Sequence, residues 1–311
     1  DDTKPKLDFV RQRVSHSALC RNLRVPNPRP SLVDMTGSTP DYRRPLALLT
    51  LLFFLWGFIT ALNDILIPHL KGEFELSNTE AMLIQFTFFG AYFLVSPPAG
   101  RLMSAIGFQR GIVVGLFGVA AGCVLFFPAA DWASYPAFLT ALFILAAGIT
   151  VLQVAANPFV AILGDRRTAA SRLTLAQAIN SFGTTIAPAI GAATILPAAG
   201  AVRDPSAVQM PYIVLAGLSI GAALLFARAK LPNLLSVAEV DHAAPADRSV
   251  WSERPVVLGA LAIFLYVGAE VAIGSVLVFV FGLPEIAGLE EQDAGYWVSF
   301  YWGAAMVGRF A

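Results

Sequence analysis

The sequence predicts an all-α, polytopic membrane protein folded as a helical bundle, and three observations carry that expectation. Hydrophobic residues make up 57% of the chain against 14% charged, with a mean hydropathy of +0.68, outside the usual balance of soluble domains. A membrane-crossing helix needs about 20 mostly apolar residues, and seven such runs follow one another, with an eighth cut short by the end of the sequence. Barrel strands would instead alternate polar and apolar residues over about ten positions, and no such alternation is present.

The expected spans are Leu46–Leu70, Ala81–Ser104, Gly107–Ala129, Tyr135–Leu163, Leu173–Leu196, Tyr212–Ala229, Val256–Phe281 and Tyr296 onward. Residues 1–44 precede them as a basic, proline-containing cytoplasmic segment without apolar periodicity, expected to be disordered. Met35 is one candidate for the native start, and a genuine cytoplasmic tail is the other reading. Residues 45–231 are expected to form a six-helix bundle, 232–254 a polar cytoplasmic linker, and 255–311 the start of a second bundle. Because Ala311 falls inside the apolar run YWVSFYWGAAMVGRFA, the chain is expected to be a fragment.

Charge sets the expected orientation. With a cytoplasmic amino terminus, the inner segments collect Arg43, Arg44, Arg101, Arg110, Arg166, Arg167, Arg172, Arg228, Lys230, Arg248 and Arg254, while the outer ones keep Lys71 and Arg203. The loop Leu283–Asp293 carries Glu285, Glu290, Glu291 and Asp293 with no base, as an outer loop should. Cys20 and Cys123 lie on the polar tail and in mid-membrane, so neither a disulfide framework nor a zinc site is expected. Without a His cluster, paired cysteines or a phosphate-cradling glycine loop, no enzyme, metal, cofactor or nucleic-acid partner is expected. A monomer in the lipid bilayer is the expected form. GxxxG pairs at Gly111 and Gly115, Gly118 and Gly122, and Gly217 and Gly221 are read first as close helix packing.

Polar groups inside the spans are costly and each needs a reason. On span 1, Trp56, Thr60, Asn63 and Asp64 fall at i, i+4, i+7 and i+8, one stripe of a helix. Span 4 has Thr150, Gln153 and Asn157 on one face, span 5 has Gln177, Asn180, Ser181 and Thr184, and span 2 has Gln85 and Tyr92. Such stripes must face one another or a water-filled cavity. Amides, hydroxyls and flat rings suit a polyhydroxylated solute, offering donors and acceptors to hydroxyls and a surface to an apolar ring face; clamping of helices is the alternative for any single amide. Trp56, Asn63, Gln85, Gln153, Asn157, Gln177 and Asn180 are the candidate substrate contacts.

Asp64 can also ionise. A carboxyl inside the membrane can take up a proton and release it as its surroundings open to one side and then the other, which makes Asp64 the candidate proton-coupling residue; structural pairing with a neighbouring amide is the alternative. Glu270 on span 7 is the second intramembrane carboxylate, read either as a further relay or as a polar contact to span 1. His69 is read as an interfacial histidine at the mouth of span 1.

FLWGFITALNDILIPHLKGEFEL, FTFFGAYFLVSPPAGRLMSAIG, ITVLQVAANPFVAILG, SRLTLAQAINSFGTTIAPAIGA and FLYVGAEVAIGSVLVFVFG together resemble the fucose:proton symporter family of the major facilitator superfamily, and most its glucose/galactose transporter branch. The resemblance runs from about Pro45 to Ala311. It implies a major facilitator type bundle with about eight of an expected twelve helices present. It also implies import of a monosaccharide by proton symport through alternating access in a bacterial inner membrane. In the fucose transporters the aspartate of the LND motif is the protonatable residue, and Asp64 holds that place. They also carry a span 4 glutamate ahead of AANPF, where this chain has Gln153, an amide that binds hydroxyls but carries no proton. The superfamily's loop signature after span 2 has Ser104 where an acidic residue is usual. An uncoupled or sodium-coupled facilitator or exporter, and a sugar sensor that transports nothing, are the alternative readings.

Overall fold

The computed structural model describes residues 42–197, 204–229, 231 and 252–308. Within them lie eight long helices: α1 Arg43–Glu73, α2 Asn78–Ile106, α3 Phe108–Asp131, α4 Tyr135–Ile162, α5 Ala169–Thr194, α6 Gln209–Arg228, α7 Arg254–Gly282 and α8 Glu291–Gly308. No strand occurs among the described residues. α1 to α4, α6 with the short turn before it, and α7 are each long and apolar enough to cross a membrane. α5 and α8 are long enough but more polar, α5 through its amide and hydroxyl stripe and α8 through Glu291, Gln292 and Asp293 in its first turn. The chain is a multi-pass membrane protein.

The expected spans match these helices to within a few residues, with two differences. α1 begins at Arg43, inside the stretch 1–44 expected to lack structure, whereas residues 1–41 lie outside the described part. α8 begins at Glu291, so Glu291 and Asp293 sit in a helical first turn and not in the preceding loop; acidic side chains suit the positive end of the helix dipole there. Most of the expected linker, with Arg248, also lies outside the described residues.

Helix ends follow local chemistry. Ser77 and Glu80 form a reciprocal capping box that starts α2, with the Ser77 amide donating to Glu80 Oε2 at 2.9 Å and the Glu80 amide to Ser77 Oγ at 3.3 Å. Gly107 ends α2 and opens α3 with φ of 83°, a backbone conformation that costs a side chain-bearing residue more. Arg172 ties the α4–α5 turn by donating to the carbonyls of Val160 (3.2 Å), Ala161 (2.9 Å) and Asp165 (2.8 Å), which satisfies acceptors freed where α4 ends.

Packing is set by missing side chains. α3 lies on α4 through Gly115, Gly118, Gly122 and Gly148; a Cβ on Gly115 would come 2.8 Å from the Leu152 amide nitrogen, and one on Gly148 would meet the Val119 amide nitrogen. The packing reading of the Gly111/Gly115 and Gly118/Gly122 pairs therefore holds. Gly217 and Gly221 on α6 differ, since a Cβ there would meet nothing within 4 Å. α1 crosses α5 equally closely, with Gly57 against the Asn180 backbone and Gly183 against the Phe54 carbonyl and Phe58 amide. α2 packs on α4, α3 on α6, and α8 on α5 and α7. Two apolar clusters result, one around Leu62, Ile65, Phe88, Phe126, Phe138 and Tyr212, the other around Leu49, Phe53, Met103, Leu152, Phe159 and Phe226.

Candidate functional site

The span 1 stripe divides into two halves. Asn63 and Asp64 are buried, at 3% and 5% exposure, in a region where α1 is enclosed from Ala61 to Leu70. Trp56 is half-buried, its ring 5.2 Å from that of Phe53.

Asp64 is the centre of a hydrogen-bond cluster drawn from four helices. Its Oδ1 accepts from Gln85 Nε2 of α2 at 3.2 Å and lies 3.5 Å from Ser275 Oγ of α7. Its Oδ2 accepts from the indole Nε1 of Trp302 on α8 at 3.1 Å. Gln85 also donates to Ser275 Oγ, and Ser275 Oγ donates to the Val271 carbonyl at 2.8 Å. Since a carboxylate only accepts, the amide nitrogen of Gln85 faces it and Oε1 points away, where it accepts from Asn63 Nδ2 at 2.7 Å. Burial of a carboxylate is tolerated when its oxygens are bonded, and both are.

A second cluster centres on Tyr92 of α2. Gln153 Nε2 of α4 donates to the Tyr92 hydroxyl at 2.8 Å, and Thr60 and Trp56 of α1 approach the same hydroxyl. At the α4–α5 crossing, Gln177 Nε2 donates to Asn157 Oδ1 at 3.4 Å. Predicted amides thus face one another across α1/α2 and α4/α5, and an amide faces the Tyr92 hydroxyl across α2/α4.

Other members of the stripes are spent on helix structure. Asn180 Nδ2 donates to the Phe53 carbonyl at 2.9 Å, which makes Asn180 a clamp between α5 and α1 at the Gly57 crossing. Thr150 donates to Ala146 O at 2.8 Å, Ser181 to Gln177 O at 3.0 Å and Thr184 to Ser181 O at 2.9 Å, each within its own helix. Glu270 Oε1 accepts from the Tyr266 hydroxyl at 2.9 Å and its backbone carbonyl from the Tyr301 hydroxyl at 2.8 Å. The α7 residue that meets Asp64 is Ser275, five positions further on. His69, read as interfacial, is buried at 1% exposure.

Sequence reasoning missed Ser275 and Trp302. Neither is unusual in a membrane helix, and their positions on α7 and α8 have no fixed register to α1 until the helices pack. An open cavity of about 660 Å³ lies between the α1–α2 and α7–α8 turns, lined by Lys71, Asn78, Met82, Phe279, Leu289 and Glu290 among others and by none of the residues that bond Asp64. Lys71 Nζ donates to Asn78 Oδ1 at 2.6 Å and sits 4.4 Å from the Phe279 ring centre. Among the described residues no group of His, Cys, Asp and Glu is placed to hold a metal.

Residues 49–311 match the family model described as Major Facilitator Superfamily. The chain is 55% identical over 281 residues to a glucose/galactose transporter of Brucella abortus, covering 88% of this chain and 67% of that protein. It is 37% identical over 300 residues to the L-fucose-proton symporter of Escherichia coli, covering 88% and 67%. The crystal structure of the E. coli fucose:proton symporter superposes with a TM-score of 0.64 at 32% identity, covering 87% of this chain and 70% of that one. The chain thus spans about two thirds of the length of these curated relatives. Helix content, span pattern and sequence agree throughout: the chain belongs to the Major Facilitator Superfamily, in the group that holds the glucose/galactose transporters and fucose:proton symporters.

Proposed function

We propose that this chain is part of a secondary transporter that imports a monosaccharide, a glucose/galactose or fucose-like hexose, by proton symport through alternating access. The observation that carries the reading is the buried Asp64 carboxylate, bonded from α2, α7 and α8. It is a titratable group at the contact between the first six helices and the two that follow, where a change of charge alters how the two sets hold together. The relatives' printed names, glucose/galactose transporter and L-fucose-proton symporter, support hexose as the solute and proton as the coupling ion. The protein is not an enzyme on this reading; it needs no cofactor or metal, acts as a monomer, and lies in a bacterial inner membrane with its amino terminus cytoplasmic.

Trp56, Asn63, Gln153, Asn157 and Gln177 are the proposed sugar contacts, with Tyr92 joining them through its bond to Gln153. Asn180 enters the set through its side chain's place between α1 and α5. Gln153 cannot itself carry a proton, so coupling rests on Asp64, and Glu270 supports the α7–α8 pair through Tyr301. Uptake of a panel of labelled hexoses by the full-length protein, with external pH recorded in unbuffered cells, tests the reading. Accumulation against a gradient with alkalinisation on sugar addition is the expected result. Uptake that only equilibrates, uptake that follows sodium, or binding without flux would replace it with the facilitator, sodium-coupled or sensor readings.

A further inference from the structure

We infer that Gln85 is not a sugar contact but a positioning residue that reports the protonation state of Asp64 to the amide of Asn63, itself a proposed sugar contact. The inference rests on the proposed proton-coupled reading and deepens it. Three observations carry it. Gln85 uses its whole amide: Nε2 donates to Asp64 Oδ1 at 3.2 Å and to Ser275 Oγ, and Oε1 accepts from Asn63 Nδ2 at 2.7 Å. Asn63 is 3% exposed, yet its Oδ1 is buried without a hydrogen-bond partner, and such an atom is costly unless something comes to meet it. Asn63 also lies one helical turn from Thr60, which approaches the hydroxyl of Tyr92 that Gln153 bonds, so α1 carries a member of each cluster one turn apart.

The donor and acceptor inventory then dictates the linkage. While Asp64 is a carboxylate, Gln85 must turn its NH₂ toward it and Asn63 must turn its NH₂ toward Gln85, leaving Asn63 Oδ1 as the acceptor without a partner. A proton arriving on Oδ1 converts that oxygen into a donor facing a donor. The contact is restored when Gln85 rotates its amide to present Oε1, with the Ser275 hydroxyl turning from Val271 O toward the same oxygen. Gln85 Nε2 then faces Asn63 Nδ2, again donor to donor, and Asn63 rotates in turn. Its outward atom changes from an acceptor to a donor. No proton travels through the amides; Gln85 exchanges three hydrogen bonds for three others and Asn63 exchanges one for one.

Besides Asp64, the titratable and charged groups on the elements around it are Arg43, Arg44, His69, Lys71 and Glu73 on α1, Glu80, Tyr92 and Arg101 on α2, Arg254, Tyr266 and Glu270 on α7, and Glu291, Asp293, Tyr296 and Tyr301 on α8, whereas the groups that bond its carboxylate, from Gln85, Ser275 and Trp302, are neutral. The α5 side meets this part of α1 with Gly191 against Leu62 and Ile65. Tyr301 and Glu270 are joined to each other, and Tyr92 belongs to the sugar cluster.

The test is sugar affinity against pH for the purified full-length transporter, with D-galactose, D-glucose and L-fucose as probes. Since symport requires that proton and sugar favour each other's binding, the wild-type dissociation constant should rise by about tenfold from pH 6 to pH 8, the order of one hydrogen bond. Gln85→Met keeps the shape without the relay and should bind sugar with an affinity that no longer follows pH, exchange it in counterflow, and fail to accumulate it. Asn63→Ala should bind more weakly and be equally flat with pH, which keeps the idea open to refutation if Gln85→Met does not fold. A wild-type pH profile in either variant overturns the relay. A flat profile in the wild type, with no alkalinisation on sugar addition, instead removes the proton-coupled reading beneath it.

Discussion

The indole Nε1 of Trp302 on α8 donates to Oδ2 of Asp64 on α1 across 3.1 Å, with both side chains buried. Two residues 238 positions apart in sequence thus share one hydrogen bond, and it joins the candidate proton site to the helices that follow the six-helix set. A hydrogen bond to a charged group contributes about 1.5–3 kcal/mol. Trp302→Phe retains a ring and removes the donor, so it should destabilise this arrangement by that order. Transport rate should fall by about tenfold or more while sugar binding persists; initial rates and equilibrium binding measured side by side check it.

Asp64→Asn retains hydrogen-bonding shape but cannot ionise. Accumulation of hexose against a gradient should be abolished and sugar-for-sugar counterflow spared. Unchanged uphill uptake would remove Asp64 from the coupling role.

Gln153 and Asn180 should separate binding from clamping. Gln153→Ala leaves the Tyr92 hydroxyl without its 2.8 Å amide donor and should weaken sugar binding by about tenfold, one hydrogen bond's worth. Asn180→Ala breaks the bond to the Phe53 carbonyl and should lower thermal stability by about 1 kcal/mol. A loss of affinity at Asn180 larger than that at Gln153 would restore Asn180 to the front rank of sugar contacts.

Glycine positions make opposite predictions on two faces. Gly148→Ala forces a methyl group against the backbone of Val119 and Gly118, and overpacking of this kind costs about 1–3 kcal/mol. Gly217→Ala on α6 meets nothing within 4 Å and should change stability by less than about 0.5 kcal/mol. Melting temperatures of the two variants in the same detergent decide it.

Much of the site was legible because helical spacing alone places residues on a face. The i, i+7 and i+8 positions of Trp56, Asn63 and Asp64 predicted one stripe, and Asn63 and Asp64 do sit together in the interior. The same spacing was blind to where each hydrogen goes. Thr150, Ser181 and Thr184 share the stripes yet return their hydroxyls to their own helices, a choice open to any helical Ser or Thr. His69, near the end of α1, is buried by the packing of neighbouring helices, which its place in the sequence does not reveal.

From the amino-acid order alone follow the all-helical membrane architecture, the approximate spans, the family, and a carboxylate where hydrocarbon would exclude one, because hydropathy, period and motif are local properties of a chain. Which groups meet that carboxylate is not local. Ser275 and Trp302 lie more than 200 positions from Asp64, and Glu270, the more conspicuous residue on α7, turns instead to Tyr266. The close approach of α1 to α5 at Gly57 and Gly183, and of α3 to α4 at Gly148, sets the registers between helices. Only those registers decide that Gln85 stands between Asn63 and Asp64, because a hydrogen bond forms at about 3 Å or not at all.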